Sequence, residues 1–131
     1  MNILAIDTCT EVASITLYSS GVKTSRKVSD IAKSSGHILK LCDEVFSEAN
    51  TKLSEVDFIA YTKGPGSFTG VRMCIGVVQG LSLACNLPTL GFSTLELLGY
   101  RASKKFNTQK VATAIDARMG EVYWAVYLEG I

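Results

Sequence analysis

The spacing of apolar positions predicts a chain that begins with strands and continues with alternating helices and strands. Apolar and β-branched runs predict a strand over residues 2–7, a second from Glu11 to Tyr18 and a third from Val22 to about Val28. The short turns between them favour an antiparallel meander. From about Ser35 to Asn50, apolar residues recur at helical spacing, which predicts the first helix.

A glycine-rich loop organises the middle of the chain. Asp57–Thr62 predicts a buried strand, and the loop Gly64–Gly70 opens a second helix that runs to about Cys85. One interpretation of the loop is a phosphate cradle at a helix N-terminus. The other is a tight turn with a side-chain cap, which the lack of a P-loop lysine favours. The candidate anion-binding residues are Asp7, Gly64, Gly66, Ser67, Thr69 and Gly70.

The second helix has almost no polar face. A helix that is apolar all round is buried all round, and the sheet of its own domain covers only one side. Gly76 and Gly80 lie at i and i+4, and each costs about 0.5–1 kcal/mol relative to alanine in a helix interior. The usual compensation is the close approach of another backbone, from the protein's own first helix, a partner's helix or both.

Arg72 lies in the first turn of this helix, where a positive charge opposes the helix dipole. One interpretation is that its guanidinium meets a carboxylate or a phosphate. The alternative is a surface arginine whose stem lies along apolar groups while its head stays in water.

After the second helix, Leu87–Phe92 predicts a short strand, and Ser93–Glu96 has the pattern of a capping box that starts a third helix to about Lys104. The predicted order is βββαβαβα. A polar linker from Phe106 to Gln109 precedes a new strand at Lys110.

That new strand repeats the pattern of the first one. Ala5–Asp7 followed by Glu11 and Val12 is matched by Ala114–Asp116 followed by Glu121 and Val122. Duplication is the economical explanation. We therefore predict a first domain over residues 1–106 and the first hairpin of a second domain over 107–131, and we expect the chain to be an N-terminal fragment.

Composition narrows the class of protein. With 131 residues, the chain is long enough to bury a hydrophobic core. Its formal net charge of +1 does not indicate a strongly basic surface for nucleic acid. The longest apolar run is too often interrupted to span a bilayer, and the N-terminus does not resemble a signal peptide, so we expect a cytoplasmic protein. Buried free thiols are expected for the cysteines, which have no C-x-x-C spacing: Cys9, Cys42, Cys74 and Cys85.

Four ordered motifs resemble the TsaB family, also called YeaZ: Ile6–Thr8, Gly64–Arg72, Gln79–Leu81 and Ile115–Tyr123. The resemblance implies an α/β, actin-like (ribonuclease H-like) βββαβα domain with a mixed sheet, followed by the first hairpin of a second similar domain. It also implies a non-catalytic scaffold in N6-threonylcarbamoyladenosine modification of tRNA next to the anticodon.

The same resemblance implies the partners. We expect a TsaD-like catalytic subunit and a TsaE-like ATPase as partners, a homodimer when the protein is alone, and only indirect contact with tRNA. No catalytic residue, metal or cofactor is expected, with ATP or ADP only at a subunit boundary. The expected partner interface comprises His37, Leu41, Val45, Arg72, Ile75, Gly76, Gln79, Gly80 and Leu83.

The alternative is a nucleotide-dependent enzyme that acts through Asp7 and the Gly64–Gly70 loop. Actin-like ATPases use an Asp-x-Gly-Thr turn, whereas Cys9 stands here at the glycine position, which argues against hydrolysis. A metal site at His37 lacks further ligands at workable spacing, so an exposed or interface histidine is favoured. A protease is not supported, because no nucleophile, base and orienting acid can be assembled.

Overall fold

The computed structural model describes residues 1–30 and 36–128. Ser35, where the first predicted helix starts, lies outside the described residues. The strands are β1 (Ile3–Asp7), β2 (Ala13–Ser19), β3 (Val22–Val28), β4 (Phe58–Thr62), β5 (Thr89–Phe92), β6 (Lys110–Arg118) and β7 (Glu121–Leu128). The helices are α1 (Ile38–Glu48), α2 (Phe68–Cys85) and α3 (Thr94–Phe106), with a short 3₁₀ turn at Leu53–Glu55. The predicted order of helices and strands is confirmed.

The first five strands form one mixed sheet in the order β3-β2-β1-β4-β5. β1, β2 and β3 pair antiparallel, whereas β1, β4 and β5 pair parallel. The predicted meander is therefore correct. β2 begins at Ala13 rather than at the predicted Glu11, because Glu11 and Val12 belong to an exposed bend at the end of the sheet.

The core lies on the face of the sheet that α1 and α2 share. Alternate residues of β1 and β2, such as Leu4, Ile6 and Ile15, point into it and are buried. α1 contributes an apolar stripe at helical spacing: Ile38, Leu41, Cys42 and Val45. α1 and α2 therefore sit side by side on the sheet.

α2 buries only a narrow side. Of its eighteen residues, Gly70, Cys74 and Val78 are buried. The sheet of the same domain covers only one side of this helix, as predicted, and no element covers its outer side in the part that the structure describes. In that part, α2 is also the one helix that could cross a bilayer by length and composition alone.

α3 begins after Ser93 and packs on the β6–β7 hairpin rather than on the large sheet. The predicted capping box does not form, since the Ser93 side chain makes no cap hydrogen bond. Instead, the Thr94 N–H donates to the Gly64 carbonyl at 2.9 Å, which ties α3 to the glycine-rich loop.

The β6–β7 hairpin is a separate two-stranded sheet. Its turn repeats that of β1–β2: the Cys9 N–H donates to Asp7 Oδ1 at 3.1 Å, and the Arg118 N–H donates to Asp116 Oδ1 at 2.7 Å. The two aspartates thus hold the same side-chain turn, two residues back from the donor. This equivalence supports the duplication; the domain boundaries themselves stay a prediction.

Candidate functional site

The glycine-rich loop packs tightly on the β1–β2 turn. A β-carbon on Gly66 would overlap the Cys9 carbonyl, and one on Gly70 would overlap the Thr8 carbonyl. The Ser67 N–H donates to the Cys9 carbonyl at 2.9 Å, and the Thr8 hydroxyl donates to the Gly70 carbonyl at 2.6 Å. Glycine is therefore needed at both loop positions because the chain's own backbone occupies the space.

The start of α2 is capped by the loop itself. Ser67 is the N-cap, and its hydroxyl accepts from the Gly70 N–H at 3.0 Å. Ser67 thus supplies the predicted side-chain cap, while Thr69 is exposed in the first helical turn. Because the Ser67 and Gly70 amides already have partners within the chain, this geometry favours a turn with a cap over a phosphate cradle.

Asp7 joins two parallel strands at the edge of this loop. Its Oδ1 accepts from the Thr62 hydroxyl at 2.7 Å and from the Cys9 N–H at 3.1 Å. Thr62 is buried, and Asp7 itself is half-buried. The carboxylate therefore holds β1, β4 and the turn after β1 together, which accounts for an acid at this position without a nucleotide.

A wide cleft of about 1210 Å³ separates the glycine-rich loop from the β6–β7 turn. Its lining includes cations (Lys63, Arg72 and Arg118) as well as the acidic residues Glu11, Asp30 and Asp116. The mixture of signs gives no concentration of positive charge for a polyphosphate. The cleft keeps the nucleotide alternative open but does not favour it.

The outer side of α2 is a second candidate site. Gly76 and Gly80 face open space: a β-carbon on either would meet nothing within 4 Å. Beside them lies a groove of about 380 Å³ between α1 and α2, lined by Leu39, Gly76, Val77, Gly80 and Leu81. Within the described chain, no backbone approaches the two glycines, so the protein's own first helix does not supply the close approach expected for them.

Most of the predicted interface residues lie on this side of the molecule. Gly76, Gln79, Gly80 and Leu83 are exposed, Leu83 to 86%, and Ile75 is half-buried.

Two of the predicted interface residues need correction. Leu41 and Val45 are buried in the chain's own core, at 8% and 0% exposure, and offer no surface to a partner. The side chain on α1 that faces outward is Leu39, at 57% exposure. Leu41 and Val45 belong to the helical stripe that faces the chain's own sheet, whereas the sequence alone does not show whether that stripe faces the sheet or a partner.

Arg72 lies over an aromatic ring rather than a carboxylate or phosphate. Its Cζ is 3.5 Å from the centroid of the Phe68 ring, and its Nη1 donates to the Phe68 carbonyl at 3.2 Å. Both side chains are exposed. Arg72 is therefore better described as a surface residue, and it makes a cation–π contact with Phe68 at the start of α2.

The cysteines differ in their surroundings, although all are free thiols. A hydrogen bond from Cys74 lowers the pKa of Cys9 to about 7, whereas the same contact and burial raise the pKa of Cys74. Burial raises the pKa of Cys42 to about 12. Cys85 is half-buried, so the prediction of buried thiols holds for Cys9, Cys42 and Cys74 only.

His37 is the exposed N-cap of α1. Among residues 1–30 and 36–128, no group of three or more histidine, cysteine or acidic side chains is arranged to hold a metal ion.

Sequence reasoning missed Thr62, the partner of Asp7, and the groove residues Leu39, Val77 and Leu81. For Thr62 the sequence gives no signal beyond a polar residue at the end of a buried strand. The groove residues could not be identified without knowing how α1 and α2 are placed against the sheet.

Comparisons with known proteins identify relatives of this chain. A family model described as TsaD: tRNA N6-adenosine threonylcarbamoyltransferase matches residues 29–130. The tRNA threonylcarbamoyladenosine biosynthesis protein TsaB of Escherichia coli (strain K12) is 43% identical over 127 residues, which cover 97% of this chain and 55% of that protein. The protein of the same name from Haemophilus influenzae is 38% identical, with 95% of this chain and 53% of that protein covered.

A solved structure gives the same result for the fold. YeaZ from Pseudomonas aeruginosa matches with a TM-score of 0.90 at 43% identity, over 97% of this chain and 60% of that chain. The predicted α/β, actin-like fold class is confirmed. The chain spans little more than half the length of these relatives.

Proposed function

This chain belongs to the TsaD family and, within it, to the TsaB (YeaZ) proteins, and from this premise we propose that it serves tRNA threonylcarbamoyladenosine synthesis as a non-catalytic subunit. In this proposal the outer side of α2 binds a TsaD-like catalytic subunit. A TsaE-like ATPase joins the pair, tRNA is held mainly by the other subunits, and the work is done in the cytoplasm.

The uncovered side of α2 carries the proposal. Only three of the helix's eighteen residues are fully buried, and its exposed positions include Leu83 and the two glycines Gly76 and Gly80. Transfer of one exposed leucine such as Leu83 into an interface contributes about 1.5–3 kcal/mol. Burial of Leu83 against a partner would therefore contribute favourably to association.

The shape of this surface favours a helix as its occupant. Gly76 and Gly80 form a shallow floor one helical turn apart, and Leu39, Val77 and Leu81 flank it. A ridge of side chains from another helix fits such a groove, and the missing β-carbons allow the two backbones to come close. A subunit of the same fold carries equivalent helices, which supports a TsaD-like partner and, in its absence, a second copy of this chain.

The nucleotide-dependent alternative rests on Asp7 and the loop. Asp7 already accepts hydrogen bonds from Thr62 and Cys9. The loop amides of Ser67 and Gly70 likewise donate hydrogen bonds within the chain. Hydrolysis by this chain would require these contacts to open. We therefore assign ATP or ADP, if one is used, to a subunit boundary rather than to this loop.

Substitution of the groove floor tests the proposal. Gly76→Leu adds a side chain into open space, so it leaves the fold intact but blocks a close-packed partner helix. The matched control is Arg101→Leu, which adds the same side chain to the exposed surface of α3. Each variant is mixed with a TsaD-like subunit and followed by size-exclusion chromatography with light scattering. We expect Gly76→Leu to lower the affinity at least about 100-fold and Arg101→Leu to leave it unchanged.

A third variant separates the two functions. Asp7→Asn keeps an oxygen that can accept from Thr62 and Cys9 but removes the charge that a nucleotide-bound metal would need. We expect normal association and normal tRNA modification by the reconstituted complex. Unchanged co-elution of Gly76→Leu, together with loss of modification in Asp7→Asn, would reject the scaffold role and favour the nucleotide-dependent one.

A further inference from the structure

The second half of α3 and the turn after it concentrate positive charge that the net charge of +1 hides. Between Glu96 and Asp116 the sequence has no acidic residue but contains four cations: Arg101, Lys104, Lys105 and Lys110. All four are exposed. The side of α3 that carries Leu95 and Gly99 is buried against the β6–β7 hairpin, so the charge lies on the solvent side of the helix.

Two exposed aromatic rings lie among these cations. Tyr100 is 62% exposed, and Phe106 is 69% exposed. The Lys104 Nζ lies 5.5 Å from the centroid of the Tyr100 ring, and the Lys105 Nζ lies 5.5 Å from the centroid of the Phe106 ring. Tyr100, Lys104, Lys105 and Phe106 therefore form one surface of paired rings and ammonium groups, the basic–aromatic surface.

We propose that the basic–aromatic surface binds unpaired RNA. In this proposal the ammonium groups of Lys104 and Lys105 contact phosphates, which supply much of the affinity of a protein for nucleic acid. The Tyr100 and Phe106 rings offer flat faces on which unpaired bases stack. The choice of RNA rests on the function proposed above, in which the chain serves tRNA modification. The surface adds one direct contact to an RNA that the other subunits mainly hold.

Helix stability accounts for only part of this arrangement. Lys104 and Lys105 lie in the last turn of α3, where positive charge interacts favourably with the negative end of the helix dipole. That interaction requires no aromatic ring, and it leaves the two exposed rings unexplained. Exposed rings beside positive charges are the arrangement that sites for single-stranded nucleic acid use.

The cation–aromatic pair at the start of α2 provides a comparison within the same chain. Arg72 lies over Phe68, which is 72% exposed, so the pair resembles those on α3. The cleft that both residues line also contains the acidic residues Glu11 and Asp30, which oppose the approach of a polyanion. Phe68 is therefore a matched aromatic control for Tyr100.

Fluorescence anisotropy with the full chain tests the proposal. The probes are a labelled RNA stem-loop with an unpaired loop and the same stem as a duplex without a loop. At about 50 mM salt, we expect the stem-loop to bind at least about 5-fold more tightly than the duplex, because only unpaired bases can stack on the two rings.

The phosphate contacts are tested by Lys104→Gln combined with Lys105→Gln. Glutamine has a helix propensity close to that of lysine, so α3 is kept. We expect the affinity for the stem-loop to fall at least about 10-fold and the slope of log K against log salt to become shallower by about 1.4. The matched control is Lys23→Gln combined with Lys27→Gln, which removes two exposed positive charges from β3 and should change the affinity less than about 2-fold.

The stacking contact is tested by Tyr100→Ala. We expect a loss of affinity of at least about 5-fold with an unchanged salt slope, since the substitution removes no charge. Phe68→Ala is the control and should leave the affinity unchanged. Circular dichroism shows whether each variant is folded. Should Tyr100→Ala unfold, Phe106→Ala at the end of the helix tests the second ring with the same expected loss.

Four outcomes overturn the proposal: no binding of the stem-loop at about 50 mM salt, equal affinity for stem-loop and duplex, equal losses from the two lysine pairs, or displacement of the stem-loop by poly-glutamate at the same concentration of charge. The last outcome would indicate an acidic protein as the ligand. The variant with Lys104→Gln and Lys105→Gln should still co-elute with a TsaD-like subunit. Loss of that co-elution would count against the α2 interface instead, so the two proposals fail separately.

Discussion

The Gly66 backbone lies so close to Cys9 that a β-carbon at position 66 would overlap the Cys9 carbonyl oxygen. The same turn receives a hydrogen bond from the next residue, since the Ser67 N–H donates to that carbonyl at 2.9 Å. The glycine-rich loop therefore packs against a turn of the same chain. A comparison of glycines with and without such neighbours tests this directly.

Gly66→Ala should destabilise the chain by at least about 2 kcal/mol, because the added carbon meets backbone that cannot move cheaply. Gly76→Ala is the matched control and should stabilise by about 0.5–1 kcal/mol, since it adds helix propensity in open space. Urea unfolding followed by circular dichroism measures both. A cost at Gly76 equal to that at Gly66 would show that the loop packing is not the cause.

The order of the helices and strands could be predicted from the sequence because each has a clear period. Alternation in β2 and helical spacing in α1 are local signals, and the glycine-rich loop marks the boundary between β4 and α2. The repeated hairpin could also be found, and the structure adds its physical basis in the matching Asp7 and Asp116 turns.

The details of the candidate site could not be predicted, because they depend on register across the sheet. Helical spacing separates Leu41 from Leu39, but the sequence does not show whether the stripe with Leu41 faces the chain's own sheet or a partner until α1 is placed against β2. The partner of Asp7 is Thr62, a residue on a neighbouring strand 55 positions away. The role of Gly66 likewise depends on a turn from another part of the chain.

Thr62→Val should destabilise the chain by about 1.5–3 kcal/mol. The substitution keeps the shape of the side chain but removes the 2.7 Å hydrogen bond to the Asp7 carboxylate, in a buried setting. The control is Thr16→Val, which removes an exposed hydrogen bond to Ser25 and should cost less than about 0.5 kcal/mol. Equal costs from urea unfolding would contradict a structural role for the Asp7–Thr62 pair.

Trp124→Lys should reduce self-association of the isolated chain without loss of stability. Trp124 is 67% exposed on the outer side of β7, beside Val122 and Val126, which are also exposed. Contiguous apolar side chains on an exposed hairpin favour association through that surface. Light scattering at increasing concentration should fall for the variant, while its free energy of unfolding stays within about 0.5 kcal/mol.

Val22→Lys is the control for this effect. Val22 is 64% exposed but lies on β3, away from the hairpin. If both variants lower the scattering equally, added charge rather than the β7 surface explains the change.

The shifted pKa values of Cys9 and Cys42 predict how the free energy of unfolding depends on pH. Cys9 has a pKa of about 7 in the folded chain and 9.0 as its ordinary value, so between these values the unfolded state holds a proton that the native state has lost. Stability should therefore rise from about pH 7 to pH 9. For Cys42 the order is reversed, because burial raises its pKa from 9.0 to about 12. Above pH 9 the unfolded state loses a proton that the native state keeps, and stability should fall.

The contribution of Cys42 can be isolated by Cys42→Ala. One proton difference corresponds to about 1.4 kcal/mol per pH unit, so the loss of stability between about pH 9.5 and pH 11 should be shallower by that amount in the variant. Cys74 acts in the same direction and remains in both proteins, so the difference in slope reports Cys42 alone. The vacated thiol volume lowers the variant's stability at every pH but does not change the slope. Parallel curves from urea unfolding across this range would mean that the native chain loses the Cys42 proton as readily as the unfolded chain, which would contradict a pKa raised by burial.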